Sequence, residues 1–297
     1  MASNAALMNS GGGDGVSAIS GHTLLKARME LREVPEKRME SIRQLRKAIE
    51  SYRRMPGEDE LVFKRTDNKF LLRFLRSRKF DVERALQVYV NYYKYRHKHR
   101  EWLKDDASPD DPALKRIMES GMFAVLPVPL KDGSRAVCMC PSRWDVATMD
   151  AFECSRVFVH VLDKLLEDEE AQVHGITLLD NAENSSLQKL YHFMRTEVWK
   201  LGIDLQDAFP ARFRGLHFIN QPWYISLLMS VVRPLLKQKH RDRFHAHGTD
   251  VHSFYQYVEP ENLFADFGGF LPPIGRNSLK DFFETDFGDN PTVEDLS

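Results

Sequence analysis

The chain of 297 residues has almost no net charge: 42 Lys and Arg stand against 43 Asp and Glu. That balance excludes a nucleic-acid binder working through bulk charge and leaves electrostatic recognition to local clusters. Cysteine is scarce. Cys138, Cys140 and Cys154 form neither a disulfide framework nor a zinc spacing, which points to a reducing compartment. No apolar run is long enough to span a bilayer. The first 15 residues are polar and glycine-rich, unlike a secretory signal, and Ala2 stands where myristoylation requires glycine. The expectation is a cytoplasmic protein whose membrane contact is peripheral and reversible. Chemistry is also thinly represented. The run Gly11-Gly12-Gly13-Asp14-Gly15 lacks the spacing and preceding strand of a phosphate loop. There is no G-x-S-x-G, no H-E-x-x-H and no defensible pair of catalytic carboxylates. The pairs His97/His99 and His245/His247 have no third ligand at a recognisable spacing. The expectation is a protein that is not an enzyme and holds no metal or cofactor.

What is present divides in two. Residues 1–21 read as a flexible tail. Thr23 can cap a helix to about residue 33, and Pro35 opens another to about residue 52. Asp67 and Asp81 cap two more. In the first, Phe70, Leu71, Phe74 and Leu75 share one face while Arg73 and Arg76 lie off it. Residues 22–122 are therefore a local helical bundle. From the turn at Lys131-Asp132-Gly133-Ser134 the pattern changes. Strands over 135–140, 173–180, 213–219 and 244–247 alternate with helices over 151–168, 196–207 and 223–237. Ser185 and Gln188 form a capping box for a short helix between them. Alternation of this kind implies crossover connections and a mainly parallel sheet, so residues 123–280 read as α/β. Residues 281–297 read as an acidic tail.

The helix over 223–237 is apolar nearly all round. Its polar residues Ser226, Ser230, Arg233 and Lys237 fall in a stripe about 60° wide. An ordinary surface helix has the opposite balance. The basic residues Lys237, Lys239, Arg241 and Arg243 follow at every second position. Grease continued by cations suits an anionic membrane surface, and equally a buried helix whose C-terminal dipole the cations favour. Trp144, Phe158 and Trp223 are candidate pocket aromatics. Asp180, at a strand end, lies where open α/β sheets bind ligands, although capping a turn is an equally ordinary role.

The runs FLLRFLRSRKF from Phe70, DAFPARF from Asp207 and HFINQPWY from His217, with His247-Gly248 and Phe267-Gly268-Gly269, resemble the CRAL-TRIO (Sec14-like) lipid-binding family over residues 22–275. With KLLEDEE from Lys164, the set is most similar to the cellular retinaldehyde-binding branch, with clavesins and α-tocopherol transfer proteins as near neighbours. The resemblance implies an N-terminal bundle packed on an α/β domain that encloses a lipophilic cavity under a mobile gate helix, here 223–237. It places the pocket at Trp144, Phe158, Asp180, Lys200, Leu201 and Trp223, with Asp180 and Lys200 as a buried polar pair. It also places phosphoinositide-contacting cations at Arg78, Arg212, Arg214, Lys239 and Arg243, beside the gate hinge. The implied function is a carrier of a retinoid such as 11-cis-retinal, or of a tocopherol-like molecule, exchanging cargo at phosphoinositide-containing membranes. The alternative is a phosphoinositide-dependent trafficking or signalling adaptor of the clavesin or Sec14 type. Ile176 and the run Ala182-Glu183-Asn184-Ser185 depart from the aromatics of the retinaldehyde branch and make the implied cavity more polar or differently shaped at one wall.

Overall fold

The structure is a computed structural model that describes residues 19–53, 61–103, 111–196, 198–235 and 238–287. The glycine run near residue 11, most of the expected N-terminal tail, the acidic segment from 288 and Lys237 lie outside the described residues. Helix α1 (Gly21–Leu31) is capped by Ser20, whose hydroxyl accepts from the Thr23 amide at 3.2 Å. Thr23 is therefore not the cap. Its hydroxyl is buried instead between Glu170 and His174. Ile19 is already packed with Ala27, Leu31 and Val173, so the fold begins before residue 21. α2 (Pro35–Arg53) buries Ile42, Leu45 and Ile49, one stripe at helical spacing. α3 (Asn68–Ser77) and α4 (Val82–Lys98) carry the expected aspartate caps, Asp67 and Asp81. α5 (Pro112–Glu119) begins on Asp111. Phe63, Phe70, Phe74, Tyr89 and Tyr93 pack between α2, α3 and α4 with ring centroids 5.0–6.3 Å apart.

Arg73 and Arg76 lie off that aromatic face, as their spacing requires, yet both are buried. The reason for Arg76 is a second interface. Its guanidinium donates to both Glu33 oxygens at 2.9 and 3.0 Å, to Gln172 at 2.9 Å, and pairs with Glu169 at 2.9 Å. Glu33 also pairs with Arg38 at 2.7 Å. One guanidinium thus joins the loop after α1, α3 and the helix carrying residues 169–174.

The sheet has the order β1-β2-β3-β4-β5 among the described residues. β1 (Phe123–Val125), three residues long and not anticipated, runs antiparallel to β2 (Arg135–Met139). α6 (Ala151–Leu165) and α7 (Glu169–His174) lead to β3 (Ile176–Asn181). Val173 and His174 were expected in this strand but close α7 instead. Gly175, at φ 96°, makes the break that β-branched Val173 does not signal. α8 (Leu187–Arg195) is capped by Ser186 rather than Ser185. α9 (Trp199–Ala208) precedes β4 (Phe213–Ile219). α10 (Trp223–Val232) gives way to a 3-10 turn at Arg233–Leu235, where Pro234 interrupts the helix. α11 (Gln238–Arg241) precedes β5 (Phe244–Ala246). β2 to β5 are parallel. α12 (Ser278–Glu284) buries Leu279 and Phe282. The first residues of the expected acidic tail are therefore packed.

Each parallel connection moves one strand in the same direction, and right-handed crossovers then put α6 to α11 on one face. The opposite face is covered over β2, β3 and β4. Ala136, Cys138, Leu179 and Ile219 pack there against Phe254, Val258, Leu263 and Phe267 from the segment after β5. His217 joins His245 and His247 on that face, its ring 4.7 and 5.2 Å from theirs, with a 2.9 Å hydrogen bond between His217 and His247.

Arg76→Met strips the buried Glu33 of a bidentate partner and is expected to cost about 3 kcal/mol in urea unfolding. Adding Glu33→Gln to it should recover part of that loss. An Arg76→Met chain as stable as the parent contradicts the assigned joint.

Candidate functional site

On the helical face of the sheet, cover is uneven. Beneath α6 the strand residues Val137 and Ile176 are fully buried. Toward the other edge Leu178, Leu216, Phe218 and Phe244 are only half-buried, although Phe218 and Phe244 stack at 5.0 Å. The helices that cross above them bring little to meet them. α8 buries none of its residues. In α10, Tyr224 is buried, but Trp223 is 72% exposed, Leu227 59% and Val231 55%, and Leu235 just beyond is 51% exposed. Each large apolar side chain left in water forgoes about 1.5–3 kcal/mol. The floor is therefore incompletely covered, and α10 turns Trp223, Leu227 and Val231 to solvent while Ile225, Leu228 and Met229 are half-buried.

α10 is fastened at its start. The Tyr224 hydroxyl donates to the Ser185 carbonyl, and the Gly248 amide to the Gln221 side chain at 3.1 Å. The Asn220 amide donates to the Gly248 carbonyl at 2.6 Å. Further along, Ser230 bonds within the helix, to the Leu227 carbonyl at 2.6 Å. α10 is thus hydrogen-bonded at Asn220–Tyr224 and apolar and largely solvent-facing beyond it.

Asp180, the residue before the last of β3, lies on the same face of the sheet as Leu178, the helical face. It is buried, and its Oδ1 has no hydrogen-bond partner among the described residues. Burial, with no charged neighbour contributing, pushes its carboxyl from 3.8 up to about 7. Near neutrality it is therefore partly protonated and able to donate a hydrogen bond. Ser185 Oγ, in the connection after β3, and Trp199 Nε1, opening α9, are also buried without hydrogen-bond partners among the described residues. Such groups cost free energy unless something supplies the missing bond.

The pocket positions distribute as follows. Leu201 and Trp144 are buried, the indole donating to the Met149 carbonyl at 2.9 Å. Phe158 is half-buried against Phe123 at 5.9 Å. These three belong to one core cluster with Leu178. Lys200 does not join Asp180. It is exposed, its ammonium 5.7 Å from the Trp199 ring, because the phase of α9 turns Leu201 inward and Lys200 out. Trp223 is exposed, against Tyr224 at 5.8 Å.

Of the expected cations, Arg212 and Arg214 at the start of β4 converge with Arg243, which precedes β5. Burial and the other two guanidiniums lower Arg243. Lys239 lies on α11, and its side chain lies outside the description. Arg78 ends α3, and its charged neighbours are Arg84 and Asp207. Residue spacing did not anticipate Glu30, whose carboxylate reaches Arg212 at 2.9 Å from α1.

Two other features are structural. A polar recess of about 420 Å³ lined by Arg116, Arg143, Asp145 and Arg276 lies elsewhere. Its Arg143 is bound by the carbonyls of Gly121 and Ile274 and by Asp266. His217 supplies the third imidazole missing beside His245 and His247. Among the described residues, however, no group of His, Cys, Asp or Glu is arranged to hold a metal ion, and no helix is long and apolar enough to cross a membrane.

Comparison with known proteins bears on this geometry. The CRAL/TRIO domain matches residues 119–269, and the CRAL/TRIO N-terminal domain matches residues 39–91. Clavesin-1 of Rattus norvegicus is 36% identical over 258 residues, covering 86% of this chain and 71% of its own. Clavesin-2 of Homo sapiens is 34% identical, covering 86% of this chain and 76% of its own. The crystal structure of Sfh5 superimposes with a TM-score of 0.57 at 10% identity, over 89% of this chain and 96% of that one, a likeness of fold.

Asp180 provides a test of this geometry. Its folded value lies above the unfolded 3.8, so its protonated form favours folding. That contribution is complete below about pH 4 and is lost as pH rises through 7. Asp180→Asn is expected to stabilise the chain at pH 8 by an amount on the order of 2–4 kcal/mol, with the gain vanishing by pH 4. Urea unfolding at both pH values measures it. A gain that does not change with pH contradicts the assignment.

Proposed function

Because the chain belongs to the CRAL/TRIO family, we propose that it carries one small lipophilic molecule in the hollow beneath α10 and exchanges it at phosphoinositide-containing membranes. The observation that carries this reading is the apolar floor of Leu178, Leu216, Phe218 and Phe244, half-buried under helices whose own apolar side chains are exposed. A guest with a long apolar body covers that floor, and the outward face of α10 is left for a membrane. Its polar end meets Asp180, which favours a neutral oxygen function such as an aldehyde or alcohol over a charged group. A retinoid such as 11-cis-retinal fits this description first, and a tocopherol-like molecule second. Trp144, Phe158 and Leu201 form the inner wall, and Lys200 stands at the rim. Trp223 meets cargo or bilayer when α10 moves.

Exchange follows from how α10 is attached. The hinge at Asn220–Tyr224 stays fixed by its hydrogen bonds while the exposed residues Leu227, Val231 and Leu235 enter the membrane interface. The cations Arg212, Arg214 and Arg243, expected beside the hinge, lie instead at the opposite end of this segment, where α11 carries Lys239; anionic headgroups hold the segment at the surface there, with Arg78 as a more distant contact. Cargo then passes between bilayer and hollow without crossing bulk water. No chemical step is involved.

A trafficking adaptor, in which headgroup binding rather than cargo movement is the output, is the second reading. The similarity to the clavesins favours it.

Transfer of fluorescent retinoid or tocopherol between vesicles separates the two. A carrier moves cargo, faster when acceptor vesicles contain phosphatidylinositol bisphosphate, and Leu227→Ser with Val231→Ser should slow it about tenfold by lowering insertion. An adaptor binds the same vesicles and moves nothing. Absence of both binding and transfer overturns both readings.

A further inference from the structure

Three guanidiniums held together repel one another, and the chain supplies its own compensation from a distant segment. The Glu30 carboxylate of α1 accepts from Arg212 at 2.9 Å and lies 3.8 Å from Arg214 and 3.8 Å from Lys26. Asp132 lies 3.4 Å from Arg214 on the other side. The charged neighbours of Arg243 are the two other guanidiniums, and it donates to the Phe213 carbonyl. Burial opposes ionisation of Glu30, but the hydrogen bond and charge of Arg212, with Lys26 and Arg214, outweigh it and hold the group below its ordinary range. The Glu30 side chain is 39% exposed, so this is a partly solvated pair of the weak, displaceable kind.

We infer that Glu30 is a built-in counter-anion of the Arg212–Arg214–Arg243 cluster and decides which phosphate-bearing ligands the cluster accepts. The inference rests on the proposed use of that cluster for phosphate. A singly charged headgroup that displaces Glu30 exchanges one unit of negative charge for another and gains little. A phosphomonoester carries about −1.5 to −2 charge near neutrality and offers three acceptor oxygens to forked donors, so it outcompetes a carboxylate. A ligand with two such groups does so more strongly. Glu30 is therefore a filter against the abundant monoanionic lipids.

Displacement also has a mechanical result. α1 is tied to the sheet domain through Glu30, through Lys26 donating to the Asp132 carbonyl at 3.0 Å, and through Thr23 with Glu170. Loss of the Glu30 tie loosens the C-terminal half of α1. The headgroup thereby changes the N-terminal helix as well as the gate side of the molecule.

The test uses the full chain and Glu30→Gln, which keeps the side chain's size and removes its charge. Binding is measured to phosphatidylcholine vesicles containing phosphatidylserine or phosphatidylinositol bisphosphate at matched total charge, and to soluble inositol bisphosphate alone. The parent should prefer bisphosphate vesicles. Glu30→Gln should bind phosphatidylserine vesicles about 3- to 5-fold tighter, with less change toward bisphosphate, so the preference narrows. An unchanged preference, or weaker binding to phosphatidylserine, overturns the filter. Hydrogen exchange on the unsubstituted chain is independent of how the variant folds. Soluble inositol bisphosphate should speed exchange across residues 27–31, and unchanged or slower exchange there overturns the inference. Tighter binding to vesicles than to the soluble compound assigns a lipid headgroup as the ligand, and equal binding assigns the free inositol phosphate; both outcomes support the filter if Glu30→Gln shifts the preference. Failure of both proteins to bind any phosphate-bearing probe removes the phosphate reading of the cluster along with the filter.

Discussion

Leu216, Phe218 and Phe244 face a side of the sheet on which α8 and α10 bring few buried side chains to meet them. Helices cross there because parallel strands in sequential order require right-handed connections on one face. The topology therefore supplies a roof, and the choice of side chains leaves the floor beneath it only half-buried. Protein interiors are normally packed to near crystalline density. A strip that departs from this while remaining apolar is suited to a guest the chain does not encode. Asp180 adds the chemical condition, since its buried oxygen is without a partner among the described residues.

The rest of the molecule is built to hold that strip steady. The far face of the sheet is covered over β2, β3 and β4 by Phe254, Val258, Leu263 and Phe267. The helical bundle is bolted to the sheet domain at Arg76, through Glu33, Gln172 and Glu169. Against these parts, α10 is secured at one end by Tyr224 and Gln221, with Ile225, Leu228 and Met229 half-buried and Trp223, Leu227 and Val231 exposed. The element whose apolar surface is least satisfied in water is thus the one on which the proposed exchange depends, with the charged cluster at the other end of the α10–β5 segment.

Much of this was legible in the residues. β4 begins and ends where its alternation places it, and Asp67 and Asp81 cap the helices they announce. Adjacent hydroxyls defeated finer reading: Ser20 and Ser186 cap helices that Thr23 and Ser185 also fitted. β1 is too short to carry a period, and Val173 reads as strand although Gly175 ends a helix just after it. The unusual character of α10 was visible from its composition, but the direction of each side chain was not. Lys200 and Leu201 differ by 100° around α9, and only packing decides which is inside. Long-range pairings were hidden for a different reason. Glu30 meets Arg212 across 182 positions of chain, and His217 meets His247 across 30. No local spacing encodes either contact.

Native mass spectrometry of the purified full-length chain tests most directly whether the half-buried floor lines a cargo chamber. The account predicts a second species heavier by one small apolar molecule, either co-purified or formed on incubation with retinal, tocopherol or phospholipid vesicles, and released by organic extraction. A chain that stays at its bare mass under all these conditions contradicts it.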